Sequence, residues 1–423
     1  MQGKALPGFR DFYPEELALR NHIFAVWRSV ARRYGFEEYD GPPLEPLEIY
    51  TQKSGEEIVE QLYAFEDKGG RKVALRPEMT PTLARMVGER AQALKKPIRW
   101  FAIPQLFRYE RQQRGRLREH FQLNMDVIGE AGPAADAEVM AAALDIMRAF
   151  GLGPAEVRLR ISDRRVVVAK LRHSHHVAAD ELVPVLAALD KWERAPADSE
   201  RLLTDALRAD RARVRPVLEF MSGLRDGAAE LRESAAAEPL NECVQRLGAM
   251  GLGPFVEVDF TIVRGLAYYT GIVFELFDQG RSLRAICGGG RYDDLIKAIA
   301  GVDLPCVGFG MGDVVLGELL KDRAKQPEAP AQLDAFLVAV SGEDVEPVLK
   351  LAHELRDQGV AVEYGLRHAA IRKQLELAAA RGAPRAVIVG PDERAASEVV
   401  VRDLNAGTEE KVPVARLLNG FFR

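Results

Sequence analysis

The stretch from Leu106 to Gly129, LFRYERQQRGRLREHFQLNMDVIG, constrains this chain most. From Phe121 onward the residues alternate. Phe121, Leu123, Met125 and Val127 fall on one face of a strand, and Gln122, Asn124 and Asp126 on the other. Amide and carboxylate groups on one face of an otherwise apolar strand predict the floor of a wet cavity. An earlier strand ends at Phe107-Arg108, and the loop from Arg108 to Arg118 holds five arginines and one glutamate. Guanidinium forks match phosphate oxygens two bonds at a time, so such a loop over a polar sheet face suits a polyphosphate or nucleic acid. A solvated, charged hairpin is the alternative that these residues alone leave open.

At 423 residues the chain has room for two or three domains. Its net charge of −5 argues against non-specific coating of nucleic acid and permits only a local basic site. No apolar run approaches the roughly 20 residues of a membrane span. The N-terminal segment has no apolar core of signal-peptide type, which gives the expectation of a cytoplasmic protein. Cys243, Cys287 and Cys306 lie far apart without CxxC spacing, which fits buried free thiols in a reducing compartment.

Residues Arg20 to Tyr34 read as an amphipathic helix with Ile23, Trp27, Val30 and Tyr34 at helical spacing. The segment after it, with Pro42, Pro43 and Pro46, reads as an edge or kinked strand. Strands are expected at Val73–Arg76, Arg99–Arg108, Phe121–Gly129, Val157–Ile161, Val256–Val263, Ile272–Phe277 and Leu283–Cys287, with helices at Thr80–Leu94 and Ala135–Phe150 between them. Hairpin connections among mixed elements predict an α+β fold around an antiparallel sheet. The region 163–251 is rich in Ala, Leu, Arg and Glu and reads as a helical insertion. Its HSHH run, His173 to His176, is read as a solvated helix end rather than a metal site. VGFGMG lacks both the GxGxxG fingerprint and a Walker loop, so Gly288–Gly290 and Gly308–Gly312 are read as places where backbone approaches a ligand closely. Plain close packing is the alternative. After the linker KDRAKQPEAPAQ comes a β-α-β-α-β pattern.

These segments resemble the class II aminoacyl-tRNA synthetases. Phe107, Arg108 and Glu110 match the Phe-Arg-x-Glu signature of motif 2, and Pro42 sits where the motif 1 proline is expected. LRPEMT (Leu75 to Thr80), VRGLAYYTG (Val263 to Gly271) and GGGRYDDL (Gly288 to Leu295) are similar, in order and spacing, to the histidyl-tRNA synthetase family. The resemblance implies an antiparallel catalytic core in two parts, 1–162 and 252–325, the insertion 163–251, and a C-terminal α/β anticodon-binding domain, 331–423. It also implies a homodimer built on motif 1, with no membrane and no DNA among the partners.

The activity so implied joins L-histidine to ATP and passes the histidyl group to tRNA(His), with Mg2+ accompanying ATP. Glu78 and Gln122 would hold the substrate ammonium, with Thr80 nearby. Asp126 would accept a ring N–H, Tyr269 would contact the other ring nitrogen, and Tyr268 would line the pocket. Arg108 would clamp the α-phosphate, and Arg264 would face it from the side of the histidine carboxylate. Glu110 would contact the adenine region and Arg116 the outer phosphates, while Arg111, Arg114 and Arg118 would face the tRNA acceptor end. Three positions depart from the family pattern. Asp126 replaces a common Glu, Ala267 a common Asp, and Val315 the motif 3 arginine that binds the γ-phosphate, with Asp313 expected to repel phosphate beside it. The Val315 departure keeps a second reading open: a catalytically silent, histidine-sensing regulatory partner of ATP phosphoribosyltransferase. The C-terminal domain speaks against it.

Overall fold

The computed structural model describes residues 3–51, 60–111, 113–192, 195–225, 227–263, 268–280, 283–327 and 333–422. Arg264 and Ala267 lie outside the described residues. The chain divides into two compact units, Met1–Gln326 and Pro327–Arg423.

In the first unit the strands are β1 (Glu37–Glu38), β2 (Leu44–Pro46), β3 (Tyr63–Glu66), β4 (Lys72–Leu75), β5 (Ile98–Ala102), β6 (Gln105–Phe107), β7 (Glu119–Ile128), β8 (Val157–Asp163), β9 (Val256–Val258), β10 (Ile272–Asp278), β11 (Cys287–Arg291) and β12 (Cys306–Gly312). The main sheet runs β1-β5-β7-β12-β11-β10-β8-β9, with β6 paired to the start of β7. Its central ladders are antiparallel, and only the outer pairs β1·β5 and β8·β9 are parallel. A small antiparallel sheet, β2-β4-β3, uses the proline-rich segment as one edge.

Leu123, Met125 and Val127 of β7 are buried with Phe309, Met311, Phe274 and Leu276 in the largest core cluster. The helix Pro133–Ala149 belongs to that core along most of its length, and the first helix adds Ile23, Trp27 and Val30. That first helix runs from Pro14 to Arg33, starting earlier than its apolar spacing indicated. Pro14 at its N-terminus and the acidic pair Glu15 and Glu16 in its first turn suit a helix start. Parallel neighbours need a long crossover. Here, among the described residues, the α-helices Arg164–His175, Leu182–Lys191, Pro196–Ala206, Arg211–Gly223, Ala228–Arg232 and Glu238–Ala249 between β8 and β9 supply it. The HSHH run falls at the end of the first of these, where His176 takes the left-handed conformation of a C-cap.

The glycine-rich segments are where local reading and structure part. The strand expected at Leu283–Cys287 lies instead at Cys287–Arg291, through all three glycines, and Cys306–Gly312 is a central strand. Glycine is depleted in strands, so propensity points the wrong way here. The strand expected at Val256–Val263 ends at Val258, and that expected at Arg99–Arg108 breaks at Ile103-Pro104, as proline demands.

The second unit has strands β13 (Ala335–Ala339), β14 (Val362–Tyr364), β15 (Arg385–Val389), β16 (Glu398–Asp403) and β17 (Glu409–Pro413), in the order β14-β13-β15-β16-β17. The first three strands of that order are mutually parallel. Ala335, Leu337 and Ala339 pack on the helix Val345–Asp357 on one face, and Phe336 and Val338 on Ala378 of the helix Ile371–Ala380 on the other. A strand buried on both faces must be apolar throughout, which explains the run AFLVA.

Candidate active site

The register of the main sheet sets out the floor of the site. Asn124 of β7 lies opposite Gly310, Gly310 opposite Gly288, Gly288 opposite Glu275, and Glu275 opposite Arg160. One pleat along, Asp126 lies opposite Gly308 and Gly308 opposite Gly290. The middle of the floor is therefore bare backbone, flanked by polar side chains. A side chain at Gly308 would collide with the Asp126 carboxylate, and one at Gly310 with the Gln122 amide. The glycines of β12 thus let the polar face of β7 lie flat across its neighbour. Those of β11 pack tightly too: a Cβ on Gly290 would lie 2.7 Å from the Ile272 carbonyl and 3.0 Å from the Tyr269 ring.

The expected substrate-binding residues fall into two adjoining groups. Glu78, Thr80 and Tyr269 meet around Tyr268, and Tyr292 links them to Asp126. The Tyr268 hydroxyl donates to Glu78 Oε2 at 3.0 Å and also engages Thr80. The Tyr268 ring lies 5.2 Å from that of Tyr269 and 5.9 Å from that of Tyr292. Tyr292 in turn donates to Asp126 Oδ1. Among the described residues, Asp126 Oδ2 and the Tyr39 hydroxyl are both buried without a hydrogen-bond partner. Burial pushes the Asp126 carboxyl up to about 7, and the bond from Tyr292 opposes this only in part. A buried acceptor with no partner is costly, so this oxygen is poised for a ligand N–H.

Arg108, Glu110, Arg116 and Gln122 line a cavity of about 1190 Å³. This exceeds the roughly 300–1,000 Å³ of an ordinary small-molecule site. Arg108 Nε donates to the Pro77 carbonyl at 2.9 Å, which ties the cavity wall to the segment that carries Glu78. Gln122 donates to Asn124 Oδ1 at 2.9 Å. Glu110 and Arg116 form a direct ion pair with each other. His120 also lines the cavity. Its burial, and then the charge of Arg108, lower its pKa to about 3, so the imidazole is neutral at physiological pH.

The arginine loop is folded down rather than extended. Arg114 reaches Glu318 at 3.4 Å and Asp322 at 2.9 Å on the helix Asp313–Asp322. Arg118 lies 4.2 Å over the Tyr109 ring. Gly115 packs on Val315, where a Cβ added to it would lie 3.3 Å from the valine methyl. Asp313, expected to repel phosphate, does not line the cavity. Its carboxylate is buried against Arg10 at 2.9 Å and accepts the Phe121 N–H at 2.9 Å.

Sequence reasoning missed Tyr39, Tyr292, His120 and the far wall. His120 sat inside the quoted strand, and Tyr292 inside GGGRYDDL. The far wall joins Arg160, Glu275 and Arg284 of the core to Leu189, Trp192, Met221 and Arg225 of the helical region. Arg160 is buried there in a pair with Asp259 and donates to the Thr261 hydroxyl at 2.9 Å. Nothing in the helical segment's composition signalled that it walls a cavity. Among the described residues no group of three or more His, Cys, Asp or Glu side chains could hold a metal.

Two family models match the chain. One, described as histidyl-tRNA synthetase, covers residues 8–312, and the other, an anticodon-binding domain, covers 334–421. A histidine–tRNA ligase of Opitutus terrae is 46% identical over 99% of this chain and 98% of its own length. The chloroplastic/mitochondrial histidine–tRNA ligase of Arabidopsis thaliana is 38% identical over 97% of this chain and 85% of its own. The crystal structure of a histidyl-tRNA synthetase from Nostoc sp. PCC 7120 superposes with a TM-score of 0.80 at 24% identity, covering 99% of this chain and 98% of that one.

Proposed function

The chain belongs to the histidyl-tRNA synthetase family, and from that premise we propose how its site works. The protein is an aminoacyl-tRNA ligase. A carboxylate oxygen of histidine attacks the α-phosphorus of ATP, the bond to the bridging oxygen breaks, and pyrophosphate leaves. A terminal ribose hydroxyl of the tRNA then attacks the activated carbonyl, and AMP leaves.

The observation that carries the reading is a pair of buried carboxylates, Glu78 and Asp126, bonded to Tyr268 and Tyr292, together with an arginine-lined cavity that Gln122, on the same strand as Asp126, also lines. In the cluster, Glu78 and Gln122 bind the substrate ammonium and Thr80 holds Tyr268 in place beside them. Asp126 takes a ring N–H through its open oxygen. Tyr269 meets the other ring nitrogen. In the cavity, Arg108 neutralises charge that develops on the α-phosphate, a role suited to a fixed cation in a dry site. Arg264 is assigned by its motif to the histidine carboxylate and the same phosphate. Glu110 and Arg116 exchange their mutual pair for the adenine region and the outer phosphates. Magnesium enters as part of the ATP substrate, carried by the phosphates.

The chain works as a homodimer on the motif 1 side, and in the cytoplasm, where translation consumes its product. Light scattering checks the first point: a 46.8 kDa particle at micromolar concentration would contradict it. Histidine-dependent ATP–pyrophosphate exchange tests the reaction itself. A polar ring read by buried groups should exclude apolar amino acids by about 10⁴ or more. Folded protein without any exchange would favour the histidine-sensing regulatory reading instead.

A further inference from the structure

Arg10 precedes the first helix and has no part in the mechanism above, yet three parts of the fold meet at its guanidinium. Its Nε donates to Glu119 Oε1 at 2.6 Å and its Nη1 to Asp313 Oδ2 at 2.9 Å. Both carboxylates are buried, at 1% and 4% exposure. Each uses its second oxygen as well. Glu119 Oε2 accepts from Gln105 Nε2 at 2.9 Å, and Asp313 Oδ1 accepts from the Phe121 N–H at 2.9 Å. The Gly8 carbonyl accepts the N–H groups of Arg118 at 3.0 Å and Glu119 at 3.3 Å. The segment from Gly8 to Arg10 is thus stitched to β7 by backbone and side chain together.

The two carboxylates open the two walls of the nucleotide end of the cavity. Glu119 begins β7, and His120 and Gln122, just beyond it, line the cavity. Asp313 begins the helix Asp313–Asp322, and Val314 and Val315, just beyond it, line the facing wall. One planar fork therefore fixes the separation of the walls from behind. Val315 offers no cation with which that helix could be drawn onto a phosphate chain, so the wall depends on this rear attachment.

We propose that Arg10 is a positioning residue for ATP, holding the β7 wall and the Val314–Val315 wall at the spacing the nucleotide requires. The inference rests on the ligase reading in placing ATP between those walls. A purely structural Arg10 would, when removed, lower stability and disturb histidine and ATP use alike. A positioning role moves the ATP parameters more than the histidine ones, because of the histidine contacts only Gln122 lies beside the tethered start of β7, while Glu78 and Asp126 are held by Tyr268 and Tyr292.

The test uses full-length Arg10→Ala, Arg10→Lys and Asp313→Asn proteins. Each is compared with the parent in pyrophosphate exchange, varying ATP and histidine separately. ATP binding is also titrated directly by calorimetry. Arg10→Ala should raise the KM for ATP by about tenfold, the size of one lost charge-assisted hydrogen bond, with the KM for histidine within about twofold. Arg10→Lys should recover only part of the loss, because an ammonium cannot span both carboxylates as a fork does. Asp313→Asn keeps the side chain's shape and should raise the ATP KM about threefold. Should Arg10→Ala fail to fold, the other two variants decide. Equal rises in both KM values, or an unchanged ATP response in folded variants, would overturn the proposal. If the parent shows no exchange, the ligase reading fails, and the calorimetric ATP titration still decides the role of Arg10.

Discussion

Tyr292 donates its phenolic proton to Asp126 Oδ1, while Oδ2 of the same carboxyl is buried with no partner among the described residues. The first contact fixes the carboxyl's plane and leaves its other oxygen available as an acceptor. The family often carries the longer Glu here. Tyr292 supplies an anchor that a shorter Asp can use.

Burial holds the Asp126 carboxyl at about 7 in the folded protein, against 3.8 in a free chain. Between those values the unfolded chain has released a proton that the folded one retains, so stability falls as pH rises through that window. Asp126→Asn removes the effect. Its melting temperature relative to the parent should therefore climb from pH 4 to pH 7 and level off above. Catalysis moves the other way. If the ionised carboxylate accepts the substrate's N–H, as proposed, kcat/KM for histidine should rise with pH through about 7 in the parent. The Asn variant should retain only the substrate's own titration near about 6.5. Coincident profiles for both proteins would remove Asp126 from ring recognition.

Glu78 is buried, and its Oε2 accepts the Tyr268 hydroxyl. Glu78→Gln keeps the shape, removes the charge proposed to meet the substrate ammonium, and should raise the KM for histidine by about 10- to 100-fold. Tyr268→Phe leaves the charge in place and should cost less, about 3- to 10-fold. A histidine titration in which the Phe variant is the weaker would reverse that ranking of roles.

How much of this was legible in the sequence depends on where the signal lay. The alternation of Gln122, Asn124 and Asp126 with Leu123 and Met125 is a local, period-two pattern, and the polar floor follows from it. The arginine loop and the segment LRPEMT were equally readable as carriers of charge. Gly308 and Gly310 were not. Their strand is dictated by side chains of a neighbouring strand that need empty space above it, a tertiary demand that outweighs glycine's poor strand propensity. The same holds for Asp313. Its sequence neighbourhood suggested a charge facing phosphate, whereas Arg10, 303 positions away, neutralises it. The insertion's contribution to the cavity wall is likewise a matter of packing, which composition does not carry.

Arg108 lines the cavity, tied by one bond to the Pro77 carbonyl. If its charge acts on the transition state, Arg108→Ala should lower kcat for adenylate formation on the order of 10²-fold or more and leave histidine binding nearly intact. Single-turnover measurement of adenylate formation separates the two. A change confined to the KM for histidine would show that Arg108 serves ground-state binding instead.

The slot at Val315 is the sharpest test of how this chain manages without the motif 3 arginine. Gly115, held at φ +76°, packs against the Val315 methyl, and the loop arginine next to it, Arg116, lines the cavity while paired to Glu110. A long cationic side chain at position 315 must therefore displace the loop before it can reach a phosphate. Val315→Arg alone should be neutral or raise the KM for ATP in pyrophosphate exchange. Arg116→Ala should raise it too, because it removes a cavity-lining cation and strips the buried Glu110 carboxylate of its partner. The double variant distinguishes compensation from plain damage. If Arg116 and a motif 3 arginine perform the same task from two sides, Val315→Arg should recover part of the ATP affinity lost in Arg116→Ala, giving a coupling of opposite sign to the sum of the single effects. Strictly additive losses would mean that the γ-phosphate is held by groups outside this loop, and that the packing of Gly115 on Val315 serves only to close the wall.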